Sequence, residues 1–177
     1  MSKKVLVIAG SPRKDGNSDI LCQQFARGAK EAGHAVEIVY VRYLNIKPCL
    51  ACYACRAAKE CVLKDDMKGL LEKMVAADVI VLSTPVYFFT MDGQMKVMID
   101  RTMPRYRELK GKEFYFIATA AAGKADMKRT MDGFYGFTDN VPQAKVCGEI
   151  YGELSYEVGA VKKTPAFEQA YQMGKEV

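Results

Sequence analysis

The chain has 177 residues, half of them hydrophobic, with a formal net charge of +5, six cysteines and one histidine. That length suits a single domain, residues 1–177, whose core needs no disulfide support, and the apolar content excludes a disordered chain. The positive excess is dispersed, since the densest basic stretch, Arg101 to Lys112, also carries Glu108; the clustered basic face of a nucleic-acid binder is missing, so no nucleic-acid partner is expected.

The first apolar run, Lys4 to Ala9 (KVLVIA), stops at Gly10-Ser11-Pro12-Arg13. It is too short for a membrane span and lacks the longer apolar segment and cleavage site of a signal peptide. It reads as a buried first strand, and a cytoplasmic location with no membrane partner is expected. Ser18 to Ala32 follows helical spacing through Leu21, Phe25 and Ala29, and Gly33 ends it. Ala35 to Val41 is a second strand. A Cys-rich loop at about residues 48–62 comes next. Asp65 or Asp66 caps a helix whose stripe is Met67, Leu70, Leu71 and Met74. Asp78 to Ser83 is a third strand, Gly93 to Thr102 a helix, and Glu113 to Thr119 a fourth strand. Lys124 to about Phe137 reads as helical, Gln143 to Ile150 as a fifth strand, and Pro165 opens a last helix to about Lys175. Cys22 and Cys147 are expected in the core, and His34, just after Gly33, at the surface.

Strand and helix alternate about five times, which predicts a parallel sheet covered by helices on both faces. Ligands of such folds bind beyond the carboxyl ends of the strands, a rule that selects three loops. The first, Gly10 to Ser18, pairs small residues with Ser11, Asn17 and Ser18 and the planar fork of Arg13. Ahead of a helix N-terminus this makes a phosphate cradle; it is neither a P-loop nor G-x-G-x-x-G, and an ordinary capped turn would use the same residues. The second, Ser83 to Thr90, carries the aromatic run Tyr87-Phe88-Phe89, suited to one wall of a flat pocket or to covering the sheet end. The third, Thr119-Ala120-Ala121-Ala122-Gly123, is small enough to pass close to a planar ring or to be a plain tight turn.

Four cysteines are spaced Cys49-x2-Cys52-x2-Cys55-x5-Cys61. In a reducing compartment such a cluster points to metal or redox chemistry. The spacing is related to the ferredoxin run and compact enough to wrap a cubane cluster; zinc, a labile disulfide or free thiols are the other readings. With one His, no Ser-His-Asp or Cys-His arrangement can be assembled, and no catalytic side chain is assigned.

GSPRKDGNS after the first strand, KDDM after the Cys-rich segment and STPVYFFTMDGQMKVMIDR after the third strand resemble the NADPH-dependent FMN reductase and iron–sulfur flavoprotein group. The resemblance is strong from about Lys4 to Arg101 and looser beyond. It implies a flavodoxin-like three-layer α/β/α sandwich with a five-stranded parallel sheet in the order 2-1-3-4-5. It places the FMN phosphate on Ser11, Arg13, Asn17 and Ser18, with Pro12 shaping the turn. It lays Pro85, Val86, Tyr87 and Phe88, preceded by Thr84, against the isoalloxazine, and sets Ala120, Ala121 and Gly123 on its other flank. The cysteine spacing matches the compact motif of the iron–sulfur flavoproteins, which implies a 4Fe-4S cluster on Cys49, Cys52, Cys55 and Cys61. The implied function is an FMN-dependent oxidoreductase that passes electrons from NAD(P)H to a flavin, quinone or protein. The alternative is an electron-transfer iron–sulfur flavoprotein fed by a ferredoxin-like partner. The group is often oligomeric, so a homo-oligomer (dimer or tetramer) is expected.

Overall fold

A computed structural model describes all 177 residues. Five parallel strands form the sheet: β1 (Lys4–Ala9), β2 (Ala35–Tyr40), β3 (Val79–Tyr87), β5 (Glu113–Thr119) and β6 (Lys145–Gly152), ordered β2-β1-β3-β5-β6. This is the expected flavodoxin-like order. The one addition is β4 (Thr90–Met91), which turns back antiparallel on β3. Helices α1 (Asn17–Glu31) and α6 (Pro165–Lys175) cover one face; α3 (Met67–Ala76), α4 (Gly93–Asp100) and α5 (Lys128–Thr138) cover the other. A single short turn, α2 (Cys55–Ala58), lies in the Cys-rich loop.

Alternation within each strand divides the core. Val5 and Val7 of β1 pack with Leu21 and Phe25 of α1 and Ala170 of α6. Leu6 and Ile8, their neighbours, face Leu70, Met98 and Phe134 on the opposite side. A strand buried on both faces must be apolar at every position, which is why KVLVIA shows no polar alternation. Each large side chain removed from water contributes about 1.5–3 kcal/mol, so these two clusters are what hold the loops at the carboxyl edge in place.

Helices α1 and α6 approach at two glycines. A Cβ on Gly28 would stand 2.1 Å from the Tyr171 carbonyl oxygen, and one on Gly174 would stand 2.1 Å from that of Phe25. Only glycine allows backbone to meet backbone this closely.

Four expectations shift. The third strand runs on to Tyr87 instead of stopping at Ser83, so half of the second loop is strand. The last strand is displaced by two residues, to Lys145–Gly152. The helix expected from Lys124 begins as a 3-10 turn, Lys124–Met127, before α5. Cys147 is exposed, because the β5–β6 register slips there: Phe114 pairs with Val146 and Tyr115 with Gly148, leaving Cys147 as the extra residue of a bulge on an edge strand. Cys22 is buried as expected. His34 is half-buried and ties the termini together, accepting from the Lys3 N–H through Nδ1 at 3.1 Å and meeting the Val177 carbonyl oxygen through Nε2 at 2.8 Å.

Candidate functional site

The carboxyl ends of β1, β3 and β5 converge on one cleft of about 230 Å³. Its walls include Ser11, Arg13, Asn17 and Ser18 from the first loop, Pro85, Val86 and Tyr87 from β3, and Ala120 and Ala121 after β5. Nine of the residues selected from sequence are therefore brought together. Pro12, Thr84, Phe88 and Gly123 stand outside the cleft wall.

The first loop has the form of a candidate anion cradle. Gly16 takes the N-cap position of α1 in extended conformation and offers no side-chain cap, so the first-turn N–H groups face the cleft without an internal acceptor. Ser11 Oγ accepts from the Arg13 N–H at 3.1 Å and donates to the Arg13 carbonyl at 3.2 Å, folding the turn back on itself. The Arg13 side chain stays exposed at the rim. Beneath the loop lies a buried ion pair: Arg42 Nη1 meets Asp19 Oδ2 at 2.8 Å and donates to the Ser11 carbonyl at 3.1 Å. Asp19 Oδ2 also accepts from the Asp15 N–H. Burial pushes the Asp19 carboxyl up from its ordinary value, and Arg42 opposes that rise. An acidic side chain under an anion site would repel the ligand unless neutralised; Arg42, held between the Tyr40 and Tyr43 rings at 4.3 and 4.8 Å, neutralises it.

Asn17 is placed at the cleft, but its side chain is fully committed elsewhere. Nδ2 donates to the carbonyls of Ser155 and Glu157 at 2.8 and 2.9 Å, and Oδ1 accepts from the N–H groups of Gly159 and Val161 at 2.9 and 3.3 Å. All four of its hydrogen-bonding positions are used, which leaves its backbone N–H for a ligand. The loop it holds supplies Ser155 and Tyr156 to the cleft. Sequence reasoning missed both. Their one signal was position, since they follow directly on the carboxyl end of β6. Leu154 N–H and Ser155 N–H donate to the carbonyls of Ala122 and Ala120, so the third loop and this fourth loop form one wall.

Thr84 is likewise turned inward. Its hydroxyl accepts from the Asp92 N–H at 3.0 Å and donates to Asp92 Oδ2 at 2.8 Å, while Asp92 Oδ1 caps α4 by accepting from Met95 N–H. Burial pushes the Asp92 carboxyl above its ordinary value. Asp92 also fixes Gly10, because a Cβ there would lie 2.8 Å from Oδ2.

Between β3 and β4 the chain reverses through Phe88 and Phe89, with φ of 49° and 63°. Two-residue hairpins with both central residues at positive φ strongly favour Asn-Gly; bulky residues there are strained. Phe88 is 99% exposed and Phe89 54%. Strain and exposed aromatic surface on one turn make it a candidate contact for a ligand or partner.

The Cys-rich loop forms a second centre. Its base is clasped: Asp66 Oδ2 accepts from Asn45 N–H at 2.7 Å and Asp65 Oδ2 from Lys47 N–H at 3.0 Å. Arg101, just past α4, holds Asp65 with a two-pronged contact at 2.8 and 3.0 Å, and both side chains are 1% exposed. Cys49, Cys52, Cys55 and Cys61 all line one small cavity of about 30 Å³, walled by Leu50, Val62, Leu63 and Met103. All six cysteines are free. No three of the protein's His, Cys, Asp or Glu side chains are close enough to share one metal ion, whereas a cubane takes each thiolate on a separate iron. Ala51, Tyr53 and Lys59, in and beside the loop, carry positive φ.

A doubly wound parallel sheet with an uncapped helix N-terminus and an aromatic hairpin at its carboxyl edge defines a flavodoxin-like α/β protein. Residues 3–135 match the family described as NADPH-dependent FMN reductase, and the chain belongs to that family. It is 31% identical to iron-sulfur flavoprotein MJ1083 of Methanocaldococcus jannaschii, over 76% of this chain and 70% of that one. It is 33% identical to an iron-sulfur flavoprotein of Methanosarcina thermophila, over 75% and 71%. Among solved structures, a flavone reductase superposes with a TM-score of 0.78 at 24% identity, a likeness of fold; that match covers 98% of this chain and 61% of the flavone reductase chain. No helix is long and apolar enough to cross a membrane.

Proposed function

We propose that this protein is an FMN-dependent oxidoreductase taking electrons from NAD(P)H. The reading rests on one observation above the rest: three loops and an uncapped helix N-terminus close on a single cleft at the carboxyl edge of the sheet. The residues fit the group. A phosphate would accept from the free N–H groups of the first turn of α1 and from Ser18 and Arg13, with Ser11 holding the turn and the Asp19 charge cancelled underneath by Arg42. Pro85, Val86 and Tyr87 present a flat, half-apolar wall to a ring, and Ala120 and Ala121 have no side chain long enough to obstruct its other side. FMN, when bound, supplies hydride and single-electron chemistry. The chain would orient the ring, with Tyr87 and Tyr156 lining the cleft beside it. The exposed Phe88–Phe89 turn supports a homo-oligomer in which this edge is covered.

A second reading is favoured by the cysteine cavity: Cys49, Cys52, Cys55 and Cys61 hold a 4Fe-4S cluster, and a ferredoxin-like partner is the donor. The fit lies in four thiols facing one small, mainly apolar cavity. Protein purified anaerobically and supplied with FMN should show oxidised-flavin absorbance and consume NADPH with a flavin or quinone acceptor. Absence of flavin absorbance with excess FMN overturns the first reading. Iron and sulfide without pyridine-nucleotide oxidation favour the second, and Cys52→Ser should then remove the iron while FMN stays bound.

A further inference from the structure

Arg101 is the bulkiest side chain in the protein to be almost wholly buried. It lines the cavity that holds the four thiols and also a neighbouring one of about 400 Å³ on the far side of Cys61. Its guanidinium is anchored on one side only. Nη1 donates to the Lys47 carbonyl and to Asp65 Oδ2, and Nη2 donates to Asp65 Oδ1. Nε is buried and donates to nothing. A buried N–H without an acceptor is costly and rarely left so; of the residues that line both cavities beside Arg101, namely Cys61, Leu63 and Pro104, only Cys61 carries an acceptor in its side chain. Resting on the reading of the Cys loop as a cluster site, we propose that Arg101 is a positioning residue that donates to the Cys61 sulfur and so raises the reduction potential of the cluster.

The physical grounds are those that govern any thiolate-held cluster. Hydrogen bonds to ligating sulfur draw charge from it and favour the reduced state. In an apolar pocket walled by Leu63 and Met103 such a bond is little screened. Asp65 cancels the formal charge of Arg101, so the effect comes from a directed N–H and not from a net cation. Lysine is therefore a poor substitute, because it keeps the charge without the planar fork.

The test is anaerobic reconstitution with ferrous iron and sulfide, iron and sulfide being counted and the midpoint potential read by electron paramagnetic resonance. The wild-type protein is compared with Arg101→Lys and with the double variant Asp65→Asn/Arg101→Gln, which removes the pair without leaving a lone buried charge. The expected result is equal iron loading, unchanged FMN binding, and a lower cluster potential in both variants. The shift corresponds to about tenfold or more in the reduction equilibrium, about 59 mV for one electron. Equal loading at an unchanged potential overturns the role of Arg101 while leaving the cluster reading intact. A wild-type protein that takes up no iron overturns both. Folded, FMN-binding variants that load no iron, beside a wild type that does, make Arg101 part of site assembly and overturn the tuning role.

Discussion

Asp92 and Arg101 stand at the two ends of α4, an eight-residue helix about 12 Å long. Asp92 caps its N-terminus and holds Thr84, directly before Pro85 of the candidate flavin cleft. Arg101 follows its last turn and holds Asp65 at the base of the Cys loop. One short rigid element thus sets the position of both centres, packed into the core through Met95, Met98 and Ile99.

Arg13 is the one cation in the wall of the candidate cleft. Arg13→Ala should weaken FMN binding by about 1.5–3 kcal/mol, the scale of a hydrogen bond to a charged group, with little change in thermal stability of the FMN-free protein. Fluorescence titration of FMN measures it. Unaltered affinity removes Arg13 from the phosphate site.

Asn17 gives the opposite balance. Its side chain satisfies two carbonyls and two N–H groups of the loop at residues 155–161. Asn17→Ala leaves buried backbone groups unpaired and should cost on the order of 3 kcal/mol in the FMN-free protein. Hydrogen exchange should rise in that loop ahead of the rest of the chain. A variant as stable as wild type, with protection intact there, refutes the strut role.

These two residues show what was legible in the sequence. Both were selected because strand–loop–helix alternation and small polar residues identify the end of a parallel sheet, and that pattern is local. The direction of a side chain is not: Asn17 reaches residues 138 to 144 positions away, and Thr84 looks inward to Asp92. Ser155 and Tyr156 were missed because the stretch after β6 has no periodicity, and its place is set by contacts with Ala120, Ala122 and Asn17. Cys147 looked like a core position because a bulge is set by strand pairing, which the local sequence does not display. The hairpin after β3 was hidden because Phe-Phe is the reverse of what such turns normally use.

Asp92 makes stability depend on pH. Burial, opposed by donors from Met95, Thr84 and Gln94, holds its carboxyl above the ordinary value, so the native state binds the proton more tightly than the unfolded chain. The stability from this group is complete below about pH 3.9 and is lost as pH rises through the native pKa. Asn cannot titrate. The difference in Tm between Asp92→Asn and wild type should therefore move in favour of the variant as pH rises from about 4, then level off. A flat difference across that window assigns the titration elsewhere.

Gly28 tests the packing of α1 on α6. A methyl group there must displace the Tyr171 carbonyl, 2.1 Å away, and backbone cannot turn aside as a side chain does. Gly28→Ala should lose about 1–3 kcal/mol or more by overpacking, despite the gain in helix propensity that alanine brings. Urea denaturation reads the change, and an unchanged or raised midpoint means the helices are not in backbone contact.

The Phe88–Phe89 turn sets stability against function. Both residues hold positive φ, and neither is buried, so the fold itself gains little from their bulk. Replacing the pair by Asn-Gly, which adopts this turn without strain, should stabilise the FMN-free protein by about 1–3 kcal/mol. The same change removes the aromatic surface beside Tyr87 and should weaken flavin binding, subunit association or both. Thermal denaturation, FMN titration and sedimentation of the variant separate these effects. Higher stability with FMN affinity and oligomeric state both unchanged would show that the strained aromatics serve neither role.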